Sequence, residues 1–277
     1  MKYIIALFLV TSFIQAAMAQ KKNKKDEAEV FYLFKANWTP APALDSAAYF
    51  MQIVSQNDTT YLCRFYNKYG PMVKQEAFKD KDLTIPNGPF LWYNKDGYLD
   101  SAGTVNNGHK DALWSYYRNG KTYLSLFYKN GRIAEKKDYD ADIYIDSAGT
   151  QKSLTQMFVQ DSLYRDSLMR ARDSTKPNQV EAKFPGNWTN YIAHNLKTPD
   201  RLMNVLGKGQ HDVVVSFTVD KEGNVSNVVL LKSVEWSGDA EVFRVLQNSP
   251  KWIPAQQNGK PVLYRQKQKL TFQVTEQ

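Results

Sequence analysis

Apolar residues alternate with polar ones at Val213, Val215, Phe217 and Val219, and the apolar positions resume at Val225, Val228 and Leu230. A period of two places such residues on one face of a strand. Between the runs lies Asp220-Lys221-Glu222-Gly223, a turn with glycine where φ can be positive. Residues 211–234 therefore predict a β-hairpin. The period becomes helical at 237–249, where Val242, Phe243, Val245 and Leu246 form an apolar side and Ser237 or Asp239 can cap the start. Residues 262–274 read as a last strand with a polar middle. Upstream, Tyr191, Ile192 and Leu196 share a helical face with Trp188 one turn earlier, and Pro199 marks the exit. The fold class is α+β. In residues 184–274 the order helix, strand, strand, helix, strand buries its stripes in a small antiparallel sheet with two helices on one face.

The connector into the last strand, SPKWIPAQQNGKPV at 249–262, specifies shape densely. Pro250 ends the helix, Trp252 calls for burial in the sheet–helix core, and Pro254 stiffens the path. Asn258-Gly259 is a tight turn expected to lead directly into the last strand.

Residues 27–145 carry a different pattern. NGPFLWYNKDG (87–97) and NGHKDALWSYYRNG (107–120) each show Asn-Gly, Leu-Trp, tyrosine and a glycine turn. LFYKNG (126–131) repeats the second half, and FYNKYG (65–70) is a diverged copy. A period of about 20 residues with turn glycines predicts an N-terminal region of stacked β-hairpins. Residues 79–86 form a loop inserted between copies. Trp92, Tyr93, Trp114, Tyr116 and Tyr117 are either a binding surface or the core of the repeats. Residues 147–183 are polar and predict a helical linker, with Leu163, Leu168 and Met169 on a thin apolar stripe and Asp166 and Arg170 as an i,i+4 pair.

Composition adds a location. Lys2, an apolar run from Tyr3 to Val10 and Ala17-Met18-Ala19 make residues 1–19 a signal peptide cleaved before Gln20. A retained anchor is the competing reading, and membrane association is expected only in that case. The net charge is +8, from 36 Lys and Arg against 28 Asp and Glu. These cations are spread along the chain, so no nucleic-acid partner is expected. Cys63 is the single cysteine, which excludes an intrachain disulfide.

Motifs for catalysis are missing. His109, His194 and His211 are scattered, and the chain has no C-x-x-C, P-loop or G-x-S-x-G. Asp138, Asp140, Asp142 and Asp146 lack the glycine and terminal glutamate of an EF-hand and read as a solvated strand or loop. Neither an enzyme nor a cofactor is expected.

Residues 184–274 resemble the C-terminal domain of TonB-type energy transducers. The resemblance rests on Phe184-Pro185-Gly186, Val213-x-Val215-Ser216-Phe217-x-Val219-Asp220, Glu222-Gly223-x-Val225, Lys232-Ser233 and Asp239-x-Glu241. It continues in Pro250-Lys251-Trp252-x-Pro254-Ala255, Gln257-Asn258-Gly259-Lys260-Pro261-Val262 and Phe272. His211, Val242 and Lys269 depart from the family pattern. The spacing of the hairpins at about 65–135 resembles MORN-like repeats of the YwqK antitoxin-like form. The TonB resemblance implies an exported protein of a Gram-negative periplasm or cell envelope that engages outer-membrane receptor segments, or other proteins, by β-strand addition. It further implies a contribution to TonB-dependent energy transduction. The expected edge comprises Leu263, Arg265, Lys267, Lys269 and Thr271. Its cations guard the edge against aggregation, attract an acidic segment, or do both. The cleavable leader, and a stretch from 43 to 176 whose only prolines are Pro71, Pro86 and Pro89, keep a second reading open. In that reading the chain is a periplasmic or surface repeat scaffold with no role in energy transduction.

Overall fold

The computed structural model describes residues 30–57, 60–171 and 179–275. The leader and the lysine run that follows it lie outside these residues.

Eleven antiparallel strands form one meander in chain order. They are β1 (Phe31–Phe34), β2 (Tyr49–Asn57), β3 (Thr60–Asn67), β4 (Met72–Phe78), β5 (Gly88–Tyr93) and β6 (Leu99–Asn106). Then follow β7 (His109–Arg118), β8 (Lys121–Lys129), β9 (Arg132–Asp138), β10 (Ile143–Ile145) and β11 (Gln151–Ser153). The turns at Asn107-Gly108, Asn119-Gly120 and Asn130-Gly131 hold both residues at positive φ, between 47° and 83°. That geometry matches the right-handed twist of the flanking strands, so Asn-Gly fixes the hairpin register locally. Trp114 is fully buried and Tyr93 nearly so, while Trp92, Tyr116 and Tyr117 are half-buried.

The helix α1 (Leu154–Ala171) follows, and the expected linker is shorter than 147–183. Its start belongs to the sheet, because Gln151–Ser153 pairs with Ile143–Ile145. The aspartate run is absorbed by turns. Asp142 accepts the Thr155 N–H at 2.7 Å and the Ser153 hydroxyl at 2.6 Å, and Asp146 accepts the Ala148 and Thr150 N–H groups. Among the described residues no cluster of three His, Cys, Asp or Glu is placed to share a metal. Nor is any described helix long and apolar enough to cross a membrane.

The C-terminal part contains β12 (Gln179–Val180), α2 (Trp188–Asn195), α3 (Asp200–Val205), β13 (Gly209–Val219), β14 (Val225–Lys232) and α4 (Trp236–Gln247). It ends with β15 (Ala255–Gln257), β16 (Lys260–Val262) and β17 (Tyr264–Val274). A three-stranded sheet runs β14-β13-β17, and the helices close its apolar side. Val213, Val215, Phe217 and Val219 are each fully buried, together with Leu270 and Phe272. Burial of each such side chain contributes about 1.5–3 kcal/mol.

Three expectations about this part need correction. A short helix, α3, follows Pro199, which opens that helix rather than only ending the one before. Its Leu202 is fully buried. The cap of α4 is Glu235, whose carboxylate accepts the Ser237 N–H, because Ser237 and Asp239 already lie inside the first turn. The Asn258-Gly259 turn does not lead straight into the last strand. It joins β15 to β16, which with β12 make a separate small sheet.

The two sheets are not independent bodies. Phe50, Tyr66, Met72, Leu91, Tyr93 and Leu99 from the meander share one buried cluster with Leu230, Val234, Val242 and Phe243. The Arg64 guanidinium lies 3.6 Å from the centre of the Phe243 ring, and Trp236 meets Phe31 edge-on at 5.0 Å.

Candidate functional site

A three-stranded sheet has two outer edges, and each exposes backbone N–H and C=O groups that can accept another strand. Here the edges differ. On β14, the Tyr93 hydroxyl donates to the Leu230 carbonyl at 3.0 Å. The Ser233 N–H just beyond this strand donates to the Gly97 carbonyl at 2.9 Å, and Tyr98 bridges to Lys232. The β5–β6 turn of the meander thus covers the end of this edge. Within the strand Asn227 has φ 49°, and the ladder to β13 shifts register there. A bulge of this kind spoils an edge for further pairing.

The opposite edge is β17. All eleven of its residues pair with β13 without a register shift, from Tyr264 opposite Val219 to Val274 opposite Gly209. Its other side pairs with no described strand. Alternation places Leu270, Phe272 and Val274 in the core and Arg265, Lys267, Lys269 and Thr271 on the exposed face. Leu263, expected as part of this strand, lies between β16 and β17 and is 66% exposed.

The exposed face is organised by cross-strand contacts. Arg265 Nε donates to the Ser216 hydroxyl at 3.1 Å. Asp212 accepts from the Thr271 hydroxyl at 2.7 Å and pairs with Lys269 at 3.3 Å. The Thr271 hydrogen bond, with help from Lys269, holds the Asp212 carboxyl below its usual range. Lys232 and Lys269 both lie opposite Val214, one on each side, so they share this face. Among the described residues of strands β13, β14 and β17, Arg265, Lys267, Lys269 and Lys232 therefore stand against one carboxylate, Asp212.

The connector supports the edge from behind. Trp252 is 3% exposed and meets Phe217, Trp188 and Phe184 at ring distances of 5.2, 5.4 and 5.6 Å. Its backbone N–H donates to the Gly223 carbonyl, and Ile253 exchanges two backbone hydrogen bonds with Lys183. Pro250 follows the end of α4, and Pro254 precedes β15. Asn258 and Gly259 take φ of 52° and 74° in the β15–β16 turn.

Residues 208–274 match the family model described as Gram-negative bacterial TonB protein C-terminal. The C-terminal domain is TonB-like. No curated protein and no solved structure matches the chain. TonB C-terminal domains mediate contacts between proteins, so a protein partner is the functional class this domain brings.

Reading of the TonB-like domain by local pattern misses the residues that join it to the meander. Ser233 is only a motif letter in the sequence and Asp239 a motif letter and candidate helix cap, yet both are buried at the junction. Glu235 is fully buried beside them and pairs with Arg201 at 2.5 Å, while Arg201 Nη2 donates to the Lys68 carbonyl of the meander. The available signal is compositional: the polar Ser233 and Glu235 alternate with the apolar Val234 and Trp236 just past a strand end, and Asp239 follows in the first turn of the next helix.

Proposed function

We propose that this is an exported, non-enzymatic TonB-like protein that receives an extended segment of an outer-membrane receptor, or of a receptor-associated protein, along the outer edge of β17. The observation that carries the proposal is the contrast between the two edges. β17 offers eleven residues of unbroken ladder, whereas β14 is bulged and partly covered by the meander. Strand addition draws its affinity from main-chain hydrogen bonds, and a long regular edge is what it needs. The meander, with its MORN-like spacing, acts in this reading as a brace that blocks the wrong edge and leaves the other open.

The test is titration of the full mature chain with peptides from receptor N-terminal segments, followed by backbone amide shifts. Shifts concentrated in 264–274, abolished by N-methylation of alternate peptide amides, support the proposal. Binding that is insensitive to N-methylation, or shifts confined to β14, overturns it. The contribution to energy transduction is a separate part of the proposal. Intact-mass analysis of the chain recovered from the envelope checks it: a retained Met1 fits a membrane-held transducer, and a start at Gln20 removes that part.

A further inference from the structure

Strand addition by itself does not choose among sequences, because every segment offers the same backbone. Selection comes from side chains that fall on the same face as those of the receiving strand. On the exposed face of β17 those side chains are Arg265, Lys267 and Lys269, spaced two residues apart, with Thr271 beyond them. Residues of an added strand directly opposite these three would also recur every second position.

Two of the cations have partners within the sheet before any segment arrives. Arg265 donates to the Ser216 hydroxyl and Lys269 pairs with Asp212, while both side chains stay exposed to solvent. Asp212 offsets only part of the charge, and Lys232 adds to it from the far strand of the same face. Edge protection alone calls for charged side chains on the strand and sets no regular spacing for them. A row of three cations on alternate residues, two of them in contact with side chains of the neighbouring strand, goes further and makes a complementary surface for anions.

We propose that the segment received by β17 carries carboxylates at every second residue, in the pattern acid-x-acid-x-acid, opposite Arg265, Lys267 and Lys269. This rests on the strand-addition reading of the same edge and names the chemistry of its partner. Cross-strand pairs of opposite charge reinforce a ladder and like charges oppose it, so Lys267 at the centre of the row is the residue with the largest leverage. Because the face is exposed, the selection weakens as salt rises.

The experiment uses the full mature chain and three peptides with the same apolar residues. One has Glu at alternate positions, one has the same three Glu in succession, and one has Gln at the alternate positions. Three acids in succession place at most two on the cationic face in any register, so sliding the peptide cannot rescue it. The alternate-acid peptide is expected to bind about tenfold more tightly than the Gln peptide at low salt, with the successive-acid peptide between them. Raising salt should shrink the gap. Lys267→Glu, a change at an exposed position, leaves two favourable pairs against one unfavourable pair and should shrink the advantage of the alternate-acid peptide over the Gln peptide to about twofold. Equal binding of all three, with shifts still along β17, overturns acid selection and leaves strand addition standing. Binding of none of the three overturns both.

Discussion

The Ser233 hydroxyl donates to Asp239 Oδ2 at 2.5 Å and at the same time accepts the Met72 N–H at 2.8 Å. A helix of the TonB-like domain is thereby linked through one serine to a strand of the meander. Asp239 Oδ1 also accepts the Val234 N–H. Both side chains are buried, so each unpaired atom here would cost about 1–3 kcal/mol. The link is closed only when serine, carboxylate and strand are all in place.

Asp239 makes this junction sensitive to pH. Burial is the main cause that raises its carboxyl from 3.8 to about 7. Hydrogen bonds from Ser233 and Val234 and the charge of Arg64 oppose the rise, and Glu235 adds to it. Tyr66 and Tyr93 also face the group from the meander, and their hydroxyls are pushed upward by burial and by Asp239. The raised carboxyl means that the folded state binds a proton that the unfolded chain has already released between pH 3.8 and 7. Its contribution to stability is therefore fully present below pH 3.8 and is lost as pH rises through 7. The expected slope is a loss of up to about 1.4 kcal/mol per pH unit within that window. The measurement is urea unfolding at several pH values for the wild type and for Asp239→Asn. The difference between them should carry this slope, and a flat difference from pH 5 to 7.5 would show that Asp239 does not titrate at the junction.

Gly97 is the point where the meander touches the TonB-like backbone most closely. It has φ 80°, its carbonyl accepts the Ser233 N–H, and an added Cβ would sit 2.2 Å from the Ser233 carbonyl oxygen. Gly97→Ala is expected to lose the junction hydrogen bond and to destabilise by more than about 2 kcal/mol, since steric exclusion adds to the left-handed penalty. Gly120→Ala is the comparison: φ is 72°, nothing lies within 4 Å, and only the backbone penalty of about 1–2 kcal/mol applies. Hydrogen exchange reads the difference. Ser233 and Met72 amides should lose protection in Gly97→Ala and keep it in Gly120→Ala.

What was legible in the sequence is what a short window determines. Val213 to Val219 alternate because one face of β13 is buried, and that period is visible without a partner. The Asn-Gly pairs need no tertiary contact to set a turn. By contrast, α3 has six residues and one fully buried side chain, too few for a period, and Pro199 reads equally as an end or a beginning. The junction is harder still. Met72 with Ser233, Arg201 with Lys68 and Trp236 with Gln52 are separated by 161, 133 and 184 residues. No local pattern announces such pairs, so the motif reading gives Ser233 and Asp239 without their purpose. The exposed face of β17 was legible as a row of cations, but the contrast with β14 depends on Tyr93 at the end of β5 and on Gly97 and Tyr98 in the β5–β6 turn, all in the meander.

Cys63 is expected to be inert in the folded protein. It is fully buried in the cluster of Phe34, Met51, Phe65 and Phe78. Burial, reinforced by the nearby Glu76 carboxylate, pushes its thiol up to about 12, so the nucleophilic thiolate is scarce at neutral pH. A thiol reagent such as DTNB should react on the timescale of unfolding and become fast in urea. Rapid labelling without denaturant would mean that the meander opens locally around β3.

Trp252 decides whether the connector is a structural plug. Its ring fills the space among Phe184, Trp188 and Phe217, and its backbone N–H and the neighbouring Ile253 tie the chain to the Gly223 turn and to Lys183. Trp252→Ala should cost about 3–5 kcal/mol, the range for removing a large buried aromatic, and Trp252→Phe should cost less because part of the contact remains. The ladder between β13 and β17 runs through eleven pairs that do not include Trp252, so hydrogen exchange in both variants should leave 209–219, and those amides of 264–274 that face β13, the most protected. Peptide affinity at the β17 edge should then be retained in Trp252→Phe at temperatures where the variant is folded. An alanine variant destabilised by less than about 1 kcal/mol would sink the plug, and lost affinity in a folded phenylalanine variant would move part of the binding site onto the connector itself.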